Sequence, residues 1–186
     1  MAWNSPMTAI AGGVVSAADF NQFIRDNLNV SEGALSLTPS GYMAVTGAHT
    51  IAERVPANDF ITTQETTTST TYTNLATVGP TCTVTTGTQA LVIVGGRIGP
   101  NTGAASSVKM SWACSGATTI DPNSPANEGD KWGVGEVGLG TTGVLIGSRP
   151  YFMTGLNAGS NTFQAKYAVS SGTGTFDNRS ITVLPL

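Results

Sequence analysis

The sequence predicts a mainly β protein: an antiparallel β-sandwich or jelly roll behind a short N-terminal amphipathic helix and an extended connector. Three observations lead to this prediction. One stretch, VSAADFNQFIRDNLN at residues 15–29, has a helical spacing of apolar residues. Beyond residue 69 the chain is a series of short strand-like segments separated by Gly, Pro, Asn and Ser. Charged residues make up only 10% of the 186 positions, against about 25% in an average soluble domain.

Composition and charge exclude several classes of protein. Hydrophobic residues reach 40% and the net charge is -3, which does not fit a disordered chain. The 8 Lys and Arg residues lie singly between Arg25 and Arg179, so no nucleic-acid partner is expected. No apolar run approaches the roughly 20 residues of a membrane span. The first residues lack a basic region and a long apolar core, so no signal peptide is predicted and synthesis in a cytoplasm is expected.

The N-terminal unit is assigned to residues 1–32. Ser16 is a good N-cap, and Asp19 places a carboxylate in the first turn, as in a partial capping box. The apolar stripe of the helix and the two amides beside it are Ala17, Phe20, Ile24, Leu28, Asn21 and Asn27. So short a helix is marginal in water, so the stripe must be buried. Either the β-domain of the same chain or further copies of the helix around a symmetry axis could bury it, with polar residues such as Asn21 on the seam.

The rest of the chain divides into a connector, residues 33–68, and a sandwich, residues 69–186. A long structureless stretch is uncommon in a compact fold, so we expect extended segments or short strands in the connector, packed along a neighbour. The sandwich contains seven or eight predicted strands. Two of them alternate cleanly, and their predicted inward residues are Val108, Met110, Trp112, Phe163, Ala165, Tyr167 and Val169. The segment ALVIV does not alternate, which indicates a central strand covered on both sides.

The sequence does not predict an enzyme. His49 is the only histidine and lies in the connector, where it is expected to be exposed, so it is a poor basis for a catalytic triad. One loop offers oxygen ligands for Ca²⁺, but the spacing of these residues fits no EF-hand and a solvated acidic loop is the preferred interpretation; they are Asp121, Asn123, Glu128 and Asp130. Paired catalytic carboxylates, a Gly-rich phosphate loop and a metal motif are all lacking, so no cofactor is expected.

The two cysteines, Cys82 and Cys114, lie in alternating segments and share a face with apolar neighbours. A disulfide between strands or a reactive thiol is one interpretation. Two small buried hydrophobic residues are the preferred one, because a reducing compartment is expected.

The opening MAWNSP is followed by GGVVSAADFNQFIRDNLN, and the positions that form a pattern are Trp3, Pro6, Gly12, Val14, Val15, Ser16, Ala17, Asn21, Arg25, Asp26, Asn27 and Leu28. This pattern resembles the N-terminal segment of minor tail and appendage proteins of tailed bacteriophages. The chain departs from it at Gly13, where an acidic residue is common, and at Ile10, where the family often has a second aromatic. The Thr- and Gly-rich strands of residues 69–186 resemble the sandwich domains that end many such proteins.

This resemblance implies a structural protein of a virion, with an N-terminal anchor, a connector and an outward β-knob. It implies a homotrimer that contacts other virion proteins of the tail or the major capsid protein, and hence a location in the virion after synthesis in the cytoplasm of the host bacterium. A minor tail protein, a short fibre and a capsid decoration protein all fit. The residues implied in virion anchoring or trimerisation are Trp3, Pro6, Ala17, Phe20, Asn21, Ile24, Arg25, Asn27 and Leu28.

A second class of function stays open, a carbohydrate-binding module that recognises a glycan of the host surface. Its candidate stacking platforms are aromatic side chains of the sandwich: Trp112, Trp132, Tyr151 and Phe152. Trp112 alternates inward and is expected in the core. Trp132, beside Lys131 in a Gly-rich loop, is the preferred platform, together with Tyr151.

Overall fold

The computed structural model describes residues 12–29, 38–101, 107–124, 129–137 and 143–186. The chain forms two compact units, Met1–Val55 and Pro56–Pro185. Antiparallel strands dominate and helical structure is short, which confirms the predicted fold class. Across the described ranges, every helix falls short of the length and apolar character that crossing a membrane requires.

The N-terminal helix runs over residues 17–29 in three consecutive pieces. An α-helical turn, Ala17–Phe20, leads into a π-helical turn, Asn21–Arg25, and a second α-helical turn, Asp26–Asn29. Ser16 is the N-cap: its Oγ accepts a hydrogen bond from the N–H of Asp19 at 3.1 Å. The Asp19 carboxylate accepts one in return from the Ser16 N–H, also at 3.1 Å. The capping box is therefore complete, although aspartate takes the place of the usual glutamate.

A β-hairpin follows in the same unit, within the stretch where short strands are expected. Its strands are β1, Tyr42–Gly47, and β2, Thr50–Arg54. His49 lies in the connecting turn, is exposed, and has a φ of 57°. Before the hairpin, the backbone N–H of Thr38 donates to the Glu53 carboxylate at 2.7 Å.

The second unit is a β-sandwich of two antiparallel sheets. Its strands are β3 Ala57–Ile61, β4 Glu65–Thr67, β5 Thr81–Thr86, β6 Gln89–Pro100, β7 Ser107–Gly116, β8 Val134–Val137, β9 Leu145–Thr154, β10 Gly159–Val169 and β11 Gly174–Pro185, and a 3₁₀ turn spans Gly129–Lys131. One sheet has the order β3-β11-β6-β9, with β4 also paired to β11, and the other has the order β5-β10-β7-β8. If β4 is left out and the eight other strands of the sandwich are numbered along the chain, the first sheet has the order first, eighth, third, sixth. This connectivity is a jelly roll.

In the structure the compact unit that contains the sandwich begins at Pro56, before the expected start at residue 69. Five residue pairs join β3 to β11, from Ala57 opposite Val183 to Ile61 opposite Arg179. Strand β4 continues beside β11, where Glu65 pairs with Phe176. The sequence did not reveal these strands because they are short, and because several of their residues are depleted in strands: Ala, Asn and Asp in β3 and Glu in β4. The predicted connector is thus divided between the two units.

The inward side chains of both sheets form one hydrophobic core. Trp112 is fully buried, and its ring centroid lies 5.1 Å from that of Trp132 and 5.5 Å from that of Phe163. Every predicted inward residue of the two alternating strands is buried: Val108, Met110, Trp112, Phe163, Ala165, Tyr167 and Val169. Strand β6 is central, as predicted, but Leu91 and Ile93 on its outer side are only half-buried, so it is not covered on both sides.

Both cysteines are free and buried. Cys82 and Cys114 pair with Phe163 from opposite sides, because β5 and β7 flank β10. Two strand spacings place their backbones about 9 to 10 Å apart, which is farther than a disulfide can span. The interpretation of the two residues as small buried hydrophobes is confirmed.

A β-bulge in β11 places a charged residue in the core. The register with β6 shifts between Asp177 and Ser180, and Asn178 has a φ of 48°. The extra residue reverses the alternation, so the side chain of Arg179 is buried between the positions of Phe176 and Ile181.

The two ends of the sandwich are named by the path of the chain. The end at which the chain enters is called the proximal end.

At the proximal end the first and last strands of the sandwich meet. Ala57 pairs with Val183 there, and Pro185 pairs with the start of β6. At the opposite, distal end, Pro100 pairs with Gly174, and β7 begins with Ser107. The strands connect these two ends, so features of the distal end are separated from the chain entrance by the length of the sandwich.

Candidate functional site

The N-terminal helix carries an uncovered apolar surface. Phe20, Ile24 and Leu28 are 52%, 44% and 63% exposed, and Val14 and Val15 before the helix are 94% and 53% exposed. Three of the four residues of the predicted stripe are therefore large apolar side chains in contact with solvent, and the fourth, Ala17, is also exposed. Such a contiguous set is typical of a surface that binds a partner.

The structure separates the polar residues of the predicted anchoring set from this stripe. Asn27 is buried, and its Nδ2 donates to the Phe23 carbonyl at 3.0 Å. Arg25 forms an ion pair with the adjacent Asp26 at 2.9 Å, and Asn21 is half-buried. The other two predicted anchor residues, Trp3 and Pro6, lie outside the described residues.

Of the two candidate glycan platforms, Trp132 lies in the core of the sandwich and Tyr151 packs against that core. Trp132 is only 6% exposed and its ring stacks on Trp112, so the indole face proposed for a sugar is already covered. The ring of Tyr151 is half-buried, with its centroid 5.6 Å from that of Trp132. The Gly-rich context, interpreted as an exposed loop, has another role: a Cβ at Gly133 would lie 2.1 Å from the Met110 carbonyl oxygen, so glycine permits close packing on β7.

The acidic loop considered for Ca²⁺ makes hydrogen bonds to Tyr72. The Tyr72 hydroxyl donates to Oδ1 of Asp130 at 2.6 Å, and Lys109 Nζ donates to Oδ2 of Asp130, also at 2.6 Å. Asn123 accepts from the Tyr72 N–H at 2.6 Å and donates to the Tyr72 carbonyl at 2.9 Å. Among the residues that the structure describes, which exclude Glu128, no His, Cys, Asp and Glu side chains gather in threes as a metal site requires.

A polar cavity of about 280 Å³ lies beside this network. Its lining includes Tyr72, Ser107, Lys109, Asp130, Gly135 and Arg149. Burial tends to raise the pKa of the Asp130 carboxyl, but the hydrogen bonds from Lys109 and Tyr72 outweigh it and the pKa is lowered. Burial and the neighbouring Asp130 raise the pKa of the Tyr72 phenol. At neutral pH the cavity therefore holds a carboxylate, a protonated phenol and two cations.

Sequence reasoning missed this cavity because no local motif encodes it. Tyr72 precedes β5, Ser107 and Lys109 lie on β7, Asp130 lies in the 3₁₀ turn, and Arg149 lies on β9. These segments meet only through the strand order of the jelly roll. The one available signal was the concentration of polar residues in the loop before β8, and the preferred interpretation of it was a solvated acidic loop.

Comparison with known proteins gives little information. No family model matches the sequence, and no curated protein matches it. Among solved structures, the chain is similar to one described as "Structure of infectious bursal disease virus Gt strain", with a TM-score of 0.34 and 12% identity. The match covers 76% of this chain and 35% of that one, so this chain spans about a third of its length. A TM-score this low carries no argument about function.

Proposed function

We propose that this chain is a structural protein of a bacteriophage virion, a trimeric surface appendage that is attached through its first 32 residues and displays its jelly roll outward. The resemblance of the first 30 residues to phage tail and appendage proteins supports the virion assignment. A tail position and a capsid-decorating position both fit this proposal.

The observation that carries the proposal is the uncovered stripe on the N-terminal helix. Phe20, Ile24 and Leu28 are large apolar side chains that are exposed on one short helix, and this helix begins with a complete capping box. A helix of about a dozen residues and a single two-stranded hairpin are each marginal in water without further packing. Copies of the same helix around a threefold axis would bury the stripe and stabilise the unit.

Light scattering of the purified full chain tests the trimer. We expect a particle of three times the 19.0 kDa chain mass, and the double variant Ile24→Asp, Leu28→Asp is expected to be monomeric because it places charges in the buried seam. Ile146→Asp is the matched control, since Ile146 is 77% exposed but lies on β9 of the sandwich. A wild-type chain that stays monomeric at micromolar concentration contradicts the trimer.

Incorporation into particles tests the virion role. Phage particles assembled with the full chain should contain it, and particles assembled with a chain that starts at Pro56 should not, while that shorter chain remains folded. Normal incorporation of the shorter chain would place the attachment in the sandwich and overturn the proposed division of roles.

A further inference from the structure

We propose that the polar cavity beside Asp130 and Arg149 binds a sugar ring that carries one carboxylate. The site is formed by Tyr72, Ser107, Lys109, Asp130, Gly135 and Arg149. This inference is independent of the virion role, because it concerns a feature contained within the jelly roll.

The charges of the cavity fit a monoanion. Lys109 is neutralised by Asp130, with 2.6 Å between Nζ and Oδ2. Arg149 also lines the cavity, and its guanidinium forms no ion pair or hydrogen bond with another side chain or carbonyl in the described part of the chain. Among the described lining residues, two cations and one carboxylate leave one net positive charge. A guanidinium presents parallel N–H donors that match a carboxylate in bidentate geometry, so Arg149 is the residue that would hold the acid group.

Ser107 supplies a second, independent observation. The residue is 7% exposed, it lines the cavity, and its Oγ has no hydrogen-bond partner among the described residues. Leaving a buried hydroxyl without a partner is unfavourable, and most such groups in proteins are paired. The Oγ itself is closed to solvent, so a rotation about the Cα–Cβ bond of Ser107 would bring it to the cavity, where it would pair with a ligand hydroxyl as donor or acceptor.

The Asp130 network supplies further polar contacts. Oδ1 of Asp130 accepts a hydrogen bond from Tyr72, and Oδ2 accepts one from Lys109. Each of these oxygens can accept a further hydrogen bond. The Tyr72 hydroxyl donates to Asp130 and can therefore accept from a ligand hydroxyl. These groups are held in place by one another, so a hydroxylated ring would meet fixed partners.

The size and the sign of the charges select the ligand class. A volume of about 280 Å³ is at the lower limit of small-molecule pockets, which suits a single ring. A phosphate near its dianionic form would bring two negative charges towards Asp130, so a carboxylate fits better. A Cβ added at Gly135 would lie 3.9 Å from Cγ of Lys109 and 3.9 Å from the Val108 carbonyl oxygen, so this side of the cavity is not closely packed.

Binding of acidic monosaccharides to the full chain tests the proposal. Titration calorimetry and ligand-observed NMR would be run with glucuronate, galacturonate and N-acetylneuraminate. Glucose and galactose serve as neutral counterparts, acetate as the bare carboxylate, and glucose 6-phosphate as the phosphate. We expect saturable binding of at least one acidic sugar at millimolar or lower concentration, with the neutral sugars, acetate and the phosphate about tenfold weaker or more.

Three variants locate the binding. Arg149→Gln should weaken binding of the acidic sugar by about tenfold or more. Arg97→Gln, the same change on β6 outside the cavity lining, should have no effect on binding. Ser107→Ala should weaken binding severalfold without lowering the unfolding midpoint, since its Oγ has no partner to lose. The proposal is overturned if none of the three acids binds saturably, if acetate or a neutral sugar binds equally well, or if Arg149→Gln binds like wild type.

Discussion

Arg179 and Glu65 form an ion pair inside the sandwich, with 3.1 Å between Nη2 of Arg179 and Oε2 of Glu65. The Arg179 side chain is fully buried and that of Glu65 is 14% exposed. Nη2 also donates to the Thr63 carbonyl at 3.2 Å, and the guanidinium carbon lies 5.3 Å from the centroid of the Tyr167 ring. The pair therefore connects the short strand β4 to the bulge in β11. Because arginine stays protonated, loss of the Glu65 charge would leave a buried cation without compensation.

We expect Glu65→Gln to lower the free energy of unfolding by about 3 to 5 kcal/mol, the usual cost of removing one partner of a buried pair. Glutamine keeps the oxygen that accepts from the Thr77 N–H and hydroxyl, both at 2.8 Å, so the change isolates the charge. Arg97→Gln is the control: Arg97 pairs with Asp177 but is 39% exposed, so we expect a loss of about 1 kcal/mol or less. Equal urea midpoints for Glu65→Gln and wild type would show that the pair does not stabilise the fold.

The same pair predicts a dependence of stability on pH. Burial tends to raise the pKa of Glu65, but the hydrogen bonds from Thr77 and the charge of Arg179 outweigh it, so the pKa is lowered. The stabilisation is present above the unfolded pKa of a glutamate, about 4.3, and is lost as the pH falls through the folded pKa. We expect the difference in unfolding free energy between wild type and Glu65→Gln to disappear as the pH falls below about 4. A constant difference in unfolding free energy from pH 7 to pH 3 would contradict this expectation.

Trp112 is expected to be the most costly aromatic side chain to remove. Trp112→Ala should lower the free energy of unfolding by about 3 to 5 kcal/mol, because it leaves a cavity beside Trp132 and Phe163. Trp112→Phe should cost less, since it keeps most of the ring and removes an indole N–H that has no partner among the described residues. Urea melts of Trp112→Ala that match wild type would mean that the register of β7 is wrong.

The cysteine thiols are expected to be unreactive in the native protein. Burial, together with the charge of Asp59 near Cys82, raises the pKa of Cys82 to about 11, and burial raises the pKa of Cys114 to about 11. The thiolate is the reactive form, so iodoacetamide at pH 8 should label neither residue before unfolding and both after it. Rapid labelling of the native chain, or a disulfide formed under mild oxidation without unfolding, would contradict the strand order around Phe163.

Two truncations test where the sandwich begins. A chain that starts at Pro56 should melt cooperatively, because it contains all strands of the jelly roll. A chain that starts at Ser69 should have a lower melting temperature or no cooperative transition, because it lacks β3 and β4 and leaves the buried Arg179 without Glu65. Circular dichroism measured against temperature compares the two. Equal transitions would show that β3 and β4 contribute no stability.

Alternation made much of the core predictable. Where a strand is buried on one face, every second residue must be apolar, and the segments around Trp112 and Phe163 followed that rule. The bulge in β11 could also have been inferred, because Phe176 and Ile181 are an odd number of residues apart and cannot share a face of a regular strand. The cavity could not, because it depends on contacts between segments that are distant in sequence.

Trp132 shows where local patterns mislead. A tryptophan among glycines looks like an exposed loop residue, since glycine favours turns. In the structure Gly133 lets the backbone approach β7 closely, and the adjacent Trp132 indole lies in the core. A high glycine content indicates that a segment is flexible, but it does not show which part of the protein the segment packs against.

The meeting of β3 and β11 at the proximal end has a mechanical consequence. Chain tension that enters at Pro56 and is opposed at the distal end pulls along the axis of β3. Hydrogen bonds between antiparallel strands run perpendicular to that axis, so the five residue pairs that join β3 to β11 would be loaded together, in shear. Tension applied between Pro56 and the end of β11 would instead open the same pairs one at a time, from Ala57 onward. The pairing of β3 with β11 therefore resists a load applied at the distal end, but it yields more easily to a load that pulls Pro56 away from the end of β11.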